Sequence, residues 1–267
     1  MTLLQKLNNL KNILRKMQSV VIAYSGGVDS SLLLKVAKDV LKENVLAVIA
    51  ASETYPETEI KQAERFAKKL KAKYLIIKTD ELKNPNFKRN PLNRCFFCKE
   101  ELFSKLKKIA QENNLNFVVD GSNFDDLKDF RPGSEAAKKL NVRSPLKEAR
   151  LTKDDIRQLS KRLGLSIWNK PSFACLSSRF PYGMKITKGN LKKIQTAEEF
   201  LRNLGFKQVR LRHHKNIARI EVPKVDLPKV LKHKKSIIEN LKILGYTYIC
   251  VDLEGYRSGS MNEGLAR

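Results

Sequence analysis

Val20 to Ser31 reads V-V-I-A-Y-S-G-G-V-D-S-S, and this stretch decides the fold. A short apolar run, Val20 to Ala23, reads as a strand that ends in a glycine-serine turn opening a helix near Asp29. That layout suits a phosphate. Gly26 and Gly27 let the backbone approach an anion closely and adopt angles a side chain forbids, and Ser25, Ser30 and Ser31 add hydroxyl donors. The helix that follows aims unpaired N–H groups and the positive end of its dipole at the same place. The spacing lacks the Gly-Lys-Ser/Thr ending of a Walker loop and the G-x-G-x-x-G of a dinucleotide fold.

Outward from this turn, apolar runs at Val20 to Ala23, Val45 to Ala50, Tyr74 to Ile77 and Phe117 to Val119 alternate with helical patterns at Ser31 to Leu41 and Glu57 to Leu70. The alternation predicts an α/β fold with a parallel sheet. Such sheets bind ligands at the carboxyl ends of their strands, where the Ser25 loop, Ser52-Glu53 and Asp120-Gly121-Ser122-Asn123 should converge. Thr152 followed by K-D-D is an N-cap with an acidic first turn, and Gly164 ends that helix. Beyond K-P-S-F-A-C-L-S-S-R-F-P-Y-G the order becomes helix (Gly189 to Leu204), strand (Gln208 to Arg212), strand (Ala218 to Val222), helix (Leu227 to Leu244), strand (Tyr246 to Leu253). We therefore expect a nucleotide domain at 1–165, a cysteine-bearing linker at 166–186 and a smaller C-terminal α+β domain at 187–267.

At 267 residues, 42% of them apolar, the chain is long enough to bury a core in each of two modest domains. No run approaches the roughly 20 apolar residues of a membrane helix, and M-T-L-L-Q-K-L-N-N-L has no apolar signal region, so a cytoplasmic location without membrane contact is expected. The net charge of +25 would suit a nucleic-acid or polyphosphate partner. Most of the excess is lysine spread along the chain, which fits a solvated surface equally well, so charge alone does not make nucleic acid the expected partner.

Four cysteines are too few for a disulfide scaffold at this length, which turns attention to metal or catalytic roles. Cys95 and Cys98 form C-x-x-C ahead of a helix. Zinc would need two more ligands, for which His213, His214 and His233 are the candidates; a dithiol redox pair is a second reading. In a third, Cys175 joins the pair, and three thiolates hold a [4Fe-4S] cluster with one iron left open. Cys250, in Y-T-Y-I-C-V-D-L, reads as a core residue.

The hexapeptide S-G-G-V-D-S after a strand resembles the pyrophosphate loop of the ATP pyrophosphatases, the adenylating family of GMP synthetases, NAD synthetases and tRNA thiolases. The resemblance implies an adenine nucleotide α-hydrolase-like (PP-loop) domain in which Ser25, Gly26, Gly27, Asp29, Ser30 and Ser31 hold the pyrophosphate of ATP. Asp29 is then the carboxylate expected to associate with Mg2+, or alternatively a helix cap. D-G-S-N-F-D-D-L-K-D-F-R-P-G, S-P-L-K-E-A-R-L-T-K-D-D-I-R, K-P-S-F-A-C-L-S-S-R-F-P-Y-G, V-R-L-R-H-H-K-N-I-A-R-I-E-V and Y-R-S-G-S-M-N-E are similar to one branch, the LarE-type sulfur transferases of nickel-pincer nucleotide biosynthesis, which serve lactate racemase maturation. This similarity runs through nearly the whole chain.

What that branch implies is ATP-dependent sulfur insertion into a pyridinium dicarboxylate mononucleotide, in a homo-oligomer working beside other enzymes of the pathway. Arg210 and Arg212 would grip the substrate phosphate, and Glu198 and Glu221 would match acidic positions of the second domain. Arg179 would meet a substrate carboxylate or lower the Cys175 pKa. The branch has two sulfur sources. In one, the cysteine at the Cys175 position gives up its own sulfur. In the other, two further cysteines join it around a [4Fe-4S] cluster, and the presence of Cys95 and Cys98 points to this second type. A cluster-dependent tRNA thiolase, an amide-forming synthetase of the NAD or GMP type and a non-catalytic ATP-binding protein are the competing readings.

Overall fold

In the computed structural model, which describes residues 1–128, 132–171, 174–257 and 259–263, four strands start the fold as a parallel sheet. The remaining residues, which include parts of three of the strings quoted above, lie outside the described residues. The chain runs through α1 (Leu3–Met17), β1 (Val20–Ala23), α2 (Val28–Leu41), β2 (Val45–Ala51), α3 (Glu57–Lys69), β3 (Lys73–Lys78), the short α4 (Pro85–Lys88), α5 (Arg94–Glu112), β4 (Phe117–Val119), α6 (Gly133–Lys139), α7 (Pro145–Glu148) and α8 (Lys153–Arg162). It continues with α9 (Lys188–Asn203), β5 (Arg210–His214), β6 (Ile217–Glu221), α10 (Leu227–Lys232), α11 (Lys234–Ile243) and β7 (Tyr248–Val251). These elements fall into two units, one of Met1–Phe87 with Leu92–Phe173 and the other of Lys88–Pro91 with Ala174–Arg267.

In the first unit the strand order is β3-β2-β1-β4, with every pairing parallel and Val20 opposite both Val45 and Phe117. The period-2 alternation of β1 and β2 sorts their side chains into two layers. Val20, Ile22, Val45, Ala47 and Ile49 face a core built with Leu10 and Leu14 of α1, Leu32 and Leu33 of α2 and Phe66 of α3. Val21 and Val48 face the other way, onto Phe103 and Leu106 of α5 and Ala136 of α6. β3 is an edge strand that carries lysines at both ends and leaves Leu75 and Ile76 partly exposed, a charge pattern that discourages edge-to-edge pairing. At the N-terminus, α1 begins with a reciprocal capping box between Thr2 and Gln5.

The second unit is built on a three-stranded sheet, β5-β6-β7, in which β5 and β6 are antiparallel and β6 and β7 parallel. Leu211, Ala218 and Ile220 point to the buried side, where α9 packs on β5 and α11 packs on α9. Residues 88–91 join this unit through hydrogen bonds: Ile186 N–H donates to Lys88 O at 2.9 Å, Gly183 N–H to Asn90 O at 2.9 Å, and the Asn90 amide to Pro181 O at 2.7 Å. The helix expected at Leu227 to Leu244 is two helices broken at His233. Cys250 is also corrected: it is exposed, not core. β7 is an edge strand whose Ile249 and Val251 take the covered phase, which leaves Tyr248 and Cys250 on the open one.

Candidate functional site

The turn after β1 is built as a cradle. Gly26 has φ +70°, and a Cβ there would lie 2.6 Å from the Cβ of Ala63 on α3, so backbone angle and packing both require glycine. Gly27 is the N-cap of α2 and makes no side-chain cap bond, so Asp29 lies inside the first turn and is not the cap. The hydroxyls are interlinked: Ser25 Oγ lies 3.1 Å from Ser30 Oγ, the Ser30 hydroxyl donates to Gly27 O at 3.3 Å, and Tyr24 and Ser31 hydroxyls meet at 3.2 Å. Burial pushes the Tyr24 phenol up to about 12 despite its bond to Ser31, so it stays neutral. Gly121 of the D-G-S-N string packs against this turn, where a Cβ would sit 3.0 Å from Ser30 N. Asp120 behind it accepts hydrogen bonds from Ser122 N–H and from the Ser122 and Ser144 hydroxyls.

Two lysines that sequence reasoning missed reach the same turn. Lys153 Nζ donates to Asp29 Oδ2 at 2.5 Å, and Lys170 Nζ donates to Gly26 O at 3.3 Å while pairing with Glu59 at 2.8 Å. The signal for Lys153 was present in T-K-D-D: the Thr152 cap fixes the next residue at the first helical position, and Lys153 N–H is held by Asp125 at 2.8 Å. Lys170 had no such signal, being a single lysine among many. Asp29 Oδ1 is buried with no hydrogen-bond partner among the described residues. An anionic oxygen in that state fits a hard cation such as Mg2+.

A pocket opens above the C-terminal ends of β1 and β2, lined by Ser25, Ala50, Tyr55, Ile60, Lys99 and Leu102 among others. Its Lys99 and Leu102 belong to α5, and one turn earlier on that helix stand Cys95 and Cys98. Three residues apart, the two cysteines share one face of the helix's first turns. Cys95 is exposed; Cys98 is half-buried and its thiol donates to Glu81 Oε1 at 3.7 Å. Glu81 is itself buried and also accepts from Thr79 at 3.0 Å. No three His, Cys, Asp or Glu side chains cluster for a metal among the described residues.

In the second unit Cys175 is half-buried and precedes a 3-10 turn, Leu176–Arg179. Arg179, at 0% exposure, forks onto Glu198 at 2.8 and 3.0 Å and donates to the carbonyls of Ala174 at 2.7 Å and Cys175 at 3.2 Å. The arginine thus fastens the cysteine-bearing backbone. Glu198 also receives Arg202 and the Leu211 N–H; burial pushes its carboxyl up, but Arg179, Arg202 and Arg210 outweigh that and hold it below the usual range. Glu221 is fully buried under Arg212 at 2.7 Å, Arg219 at 3.1 Å and the Ser260 hydroxyl at 2.8 Å. Arg210 is buried against the Tyr256 ring, its pKa lowered to about 10 by burial and by Arg179. His213 is a core histidine, 3.0 Å from the Tyr246 hydroxyl and edge-on to Phe180.

A family model for NAD synthase matches residues 3–113, the part that holds the cradle. Full-length relatives extend the match. An uncharacterised protein of Synechocystis is 43% identical over 98% of both chains, and one of Methanocaldococcus jannaschii is 36% identical over 97% of this chain and all of its own. The pyridinium-3,5-bisthiocarboxylic acid mononucleotide synthase of Lactiplantibacillus plantarum is 40% identical over 100% of this chain and 97% of its own. The chain belongs to the family of that synthase. Within the synthase family frame, the serine-glycine cradle lies in the first unit and the buried arginines and carboxylates in the second. No helix among the described residues is long and apolar enough to cross a membrane.

Proposed function

We propose that this chain uses ATP to adenylate a carboxylate of pyridinium-3,5-biscarboxylic acid mononucleotide and replaces the activated oxygen with sulfur. The observation that carries the reading is the course of α5: one helix presents Cys95 and Cys98 in its first turns and lines the pocket above the S-G-G turn with Lys99 and Leu102. Thiol chemistry and nucleotide chemistry share a scaffold, which a ligase using ammonia would not need. The name of the Lactiplantibacillus relative supports the product.

A free carboxylate is a poor electrophile. Its oxygen attacks the α-phosphorus of ATP, the P–O bond to pyrophosphate breaks, and the acyl adenylate gains AMP as a leaving group. The Ser25–Ser31 turn, Lys153, Lys170 and the first turn of α2 supply donors and positive charge for the departing pyrophosphate. Mg2+ held at Asp29 would offset the phosphate charge. A sulfide nucleophile then adds to the acyl carbon, AMP leaves and a thiocarboxylate remains. Arg210 and Arg212 would take the substrate phosphate, with Glu198 and Glu221 holding the arginines in register and Arg179 fixing the Cys175 segment. Cys95, Cys98 and Cys175 would hold a [4Fe-4S] cluster, and that group would supply an open iron for the extra sulfide. Assembly as a homo-oligomer and exchange with other enzymes of the pathway belong to the same reading.

The test is anaerobic reconstitution with iron and sulfide, followed by turnover with ATP and the dicarboxylate mononucleotide. The expected result is pyrophosphate and AMP release with a mass gain of one sulfur-for-oxygen exchange in the mononucleotide, and about four irons per chain that vanish in C95A/C98A. Sulfur transfer without iron, with Cys175 converted to dehydroalanine, would move the sulfur source to Cys175. Pyrophosphate release with tRNA and not with the mononucleotide would overturn the substrate.

A further inference from the structure

Lys170 differs from the surface lysines of this chain in being held at both ends. At the tip, its ammonium donates to Gly26 O at 3.3 Å and pairs with Glu59 at 2.8 Å. At the backbone, its N–H donates to Ile167 O at 2.9 Å, its carbonyl accepts from Arg157 Nη2 at 3.2 Å, and Pro171 biases it to extended angles. Arg157 Nη1 donates to Trp168 O at 3.1 Å, so one guanidinium fork ties down the turn that carries the lysine. The side chains of Lys170 and Glu59 are 15% and 20% exposed, whereas those of the neighbouring pair within α3, Lys61 and Glu57, are 59% and 73% exposed. The first pair is built into the fold; the second is solvated.

By charge alone a carboxylate beside a polyphosphate site is unfavourable, because it repels the ligand and cancels a lysine that would attract it. Geometry gives Glu59 another role. Glu59 and Ala63 lie four residues apart on α3 and face the same turn, Ala63 against Gly26 and Glu59 against the lysine bound to Gly26. Lys153 and Arg157 have the same spacing on α8; the first reaches Asp29 and the second the backbone of Lys170. Two helices thus fix both lysines of the cradle. A mobile lysine loses rotamer freedom each time it closes on a phosphate, whereas one already held does not. An ammonium has three donors, and the two acceptors at Gly26 and Glu59 among the described residues leave one for a ligand oxygen.

We propose that Glu59 and Arg157 are positioning residues that hold Lys170 at the S-G-G turn before pyrophosphate forms there. The proposal rests on the reading above that this turn takes the pyrophosphate of ATP. Both residues act through Lys170.

The test uses the full chain, with inorganic pyrophosphate and Mg2+ as the probe in calorimetry. Glu59→Asp keeps the charge but is too short to hold the ammonium, and should weaken pyrophosphate about 3- to 10-fold, the scale of immobilising one long side chain on binding. Glu59→Gln keeps an acceptor at the same reach and loses the charge, and should bind at least as tightly as the wild type. Arg157→Lys keeps the charge and loses the fork, and should behave like Glu59→Asp. In a Lys170→Met background Glu59→Asp should have no further effect, a non-additivity that a general folding defect would not produce. Wild-type affinity in Glu59→Asp would mean that charge alone governs and would overturn the proposal, as would equal weakening with and without Lys170. Acylation of Lys170 in the ligand-free chain, followed by peptide mass spectrometry, reads the same frame without pyrophosphate, and Glu59→Asp and Arg157→Lys should speed it several-fold. If they do while the wild type fails to bind pyrophosphate, the frame stands and the ligand of the turn is wrong. Unchanged acylation in both variants refutes the frame whatever the turn binds.

Discussion

At Asp29 Lys153 and the proposed Mg2+ would share one carboxylate. Lys153 occupies Oδ2, while Oδ1 is buried without a partner among the described residues and suits a metal. A lysine this close neutralises the charge that would draw Mg2+, so Lys153→Met should lower the half-saturating Mg2+ concentration for pyrophosphate release and cut kcat by about 10²-fold, the scale of losing one charged donor to a departing oxyanion. An unchanged Mg2+ requirement would mean that the pair and the metal do not compete. Gly26 makes a separable prediction. Gly26→Ala meets both a positive φ, worth about 1–2 kcal/mol, and the 2.6 Å overlap with Ala63 Cβ. G26A/A63G should recover the steric share of the lost stability and not the backbone share, as read by thermal unfolding; full recovery would show that φ costs nothing here. His213 gives the pH signature. Burial, then Lys193 and His214, bring its pKa to about 4, against 6.5 when unfolded, so below pH 6.5 the unfolded chain binds the extra proton. Its contribution is complete above pH 6.5 and is lost as pH falls towards 4. The denaturant midpoint of the wild type should drop across that window more steeply than that of His213→Gln.

At the scale of elements, legibility followed the period of the sequence. β1 and β4 appear as read, and β2 and β3 extend by one or two residues, because buried parallel strands are short apolar runs between turns and nothing else in the chain looks like them. α1 was overlooked because its polar residues mask the apolar stripe of Leu7, Leu10, Leu14 and Met17, which seals one side of the sheet. The break at His233 was illegible because no Gly or Pro stands between Val230 and Leu244 to mark it. Cys250 misled because strand phase is fixed by what covers the sheet, and β7 is covered on one side. The cradle was readable as a motif; T-K-D-D set Lys153 at the start of a helix, but that this helix and Lys170 return to the cradle is a matter of tertiary structure. α8 shows how an element serves the site: Thr152 and Asp155 cap each other's backbone, and Asp155 also takes Lys6 of α1 at 2.6 Å. Thr152→Ala should cost about 1 kcal/mol in stability and, by freeing the residue that anchors Lys153, raise KM for ATP. A stability loss with KM unchanged would separate the cap from the site.

For the molecule as a whole, the surplus of +25 sets a condition on stability and on partners. Many visible ion pairs are exposed and four residues apart, as in Lys35–Asp39, Lys61–Glu57 and Lys68–Glu64, and pairs of that kind contribute only about 0.3–0.5 kcal/mol each. With 53 basic residues against 28 acidic ones, repulsion among the unpaired lysines outweighs these contacts at low ionic strength. Screening acts on both, but it removes more repulsion than attraction when one sign dominates, and at 0.15 M salt the range of either is about 8 Å. Raising sodium chloride from low to physiological levels should therefore increase Tm, and a fall would show that the ion pairs dominate. The same dispersion bears on nucleic acid. A footprint that neutralises six or more phosphates loses about 10³-fold or more in affinity between 50 and 200 mM salt, and a small-molecule seat engaging one phosphate does not. Sulfur transfer to the mononucleotide should keep its KM within a few-fold over that range and should not be inhibited by tRNA at the upper end. Competitive inhibition by tRNA there would mean that the lysines are gathered for a polyanion after all.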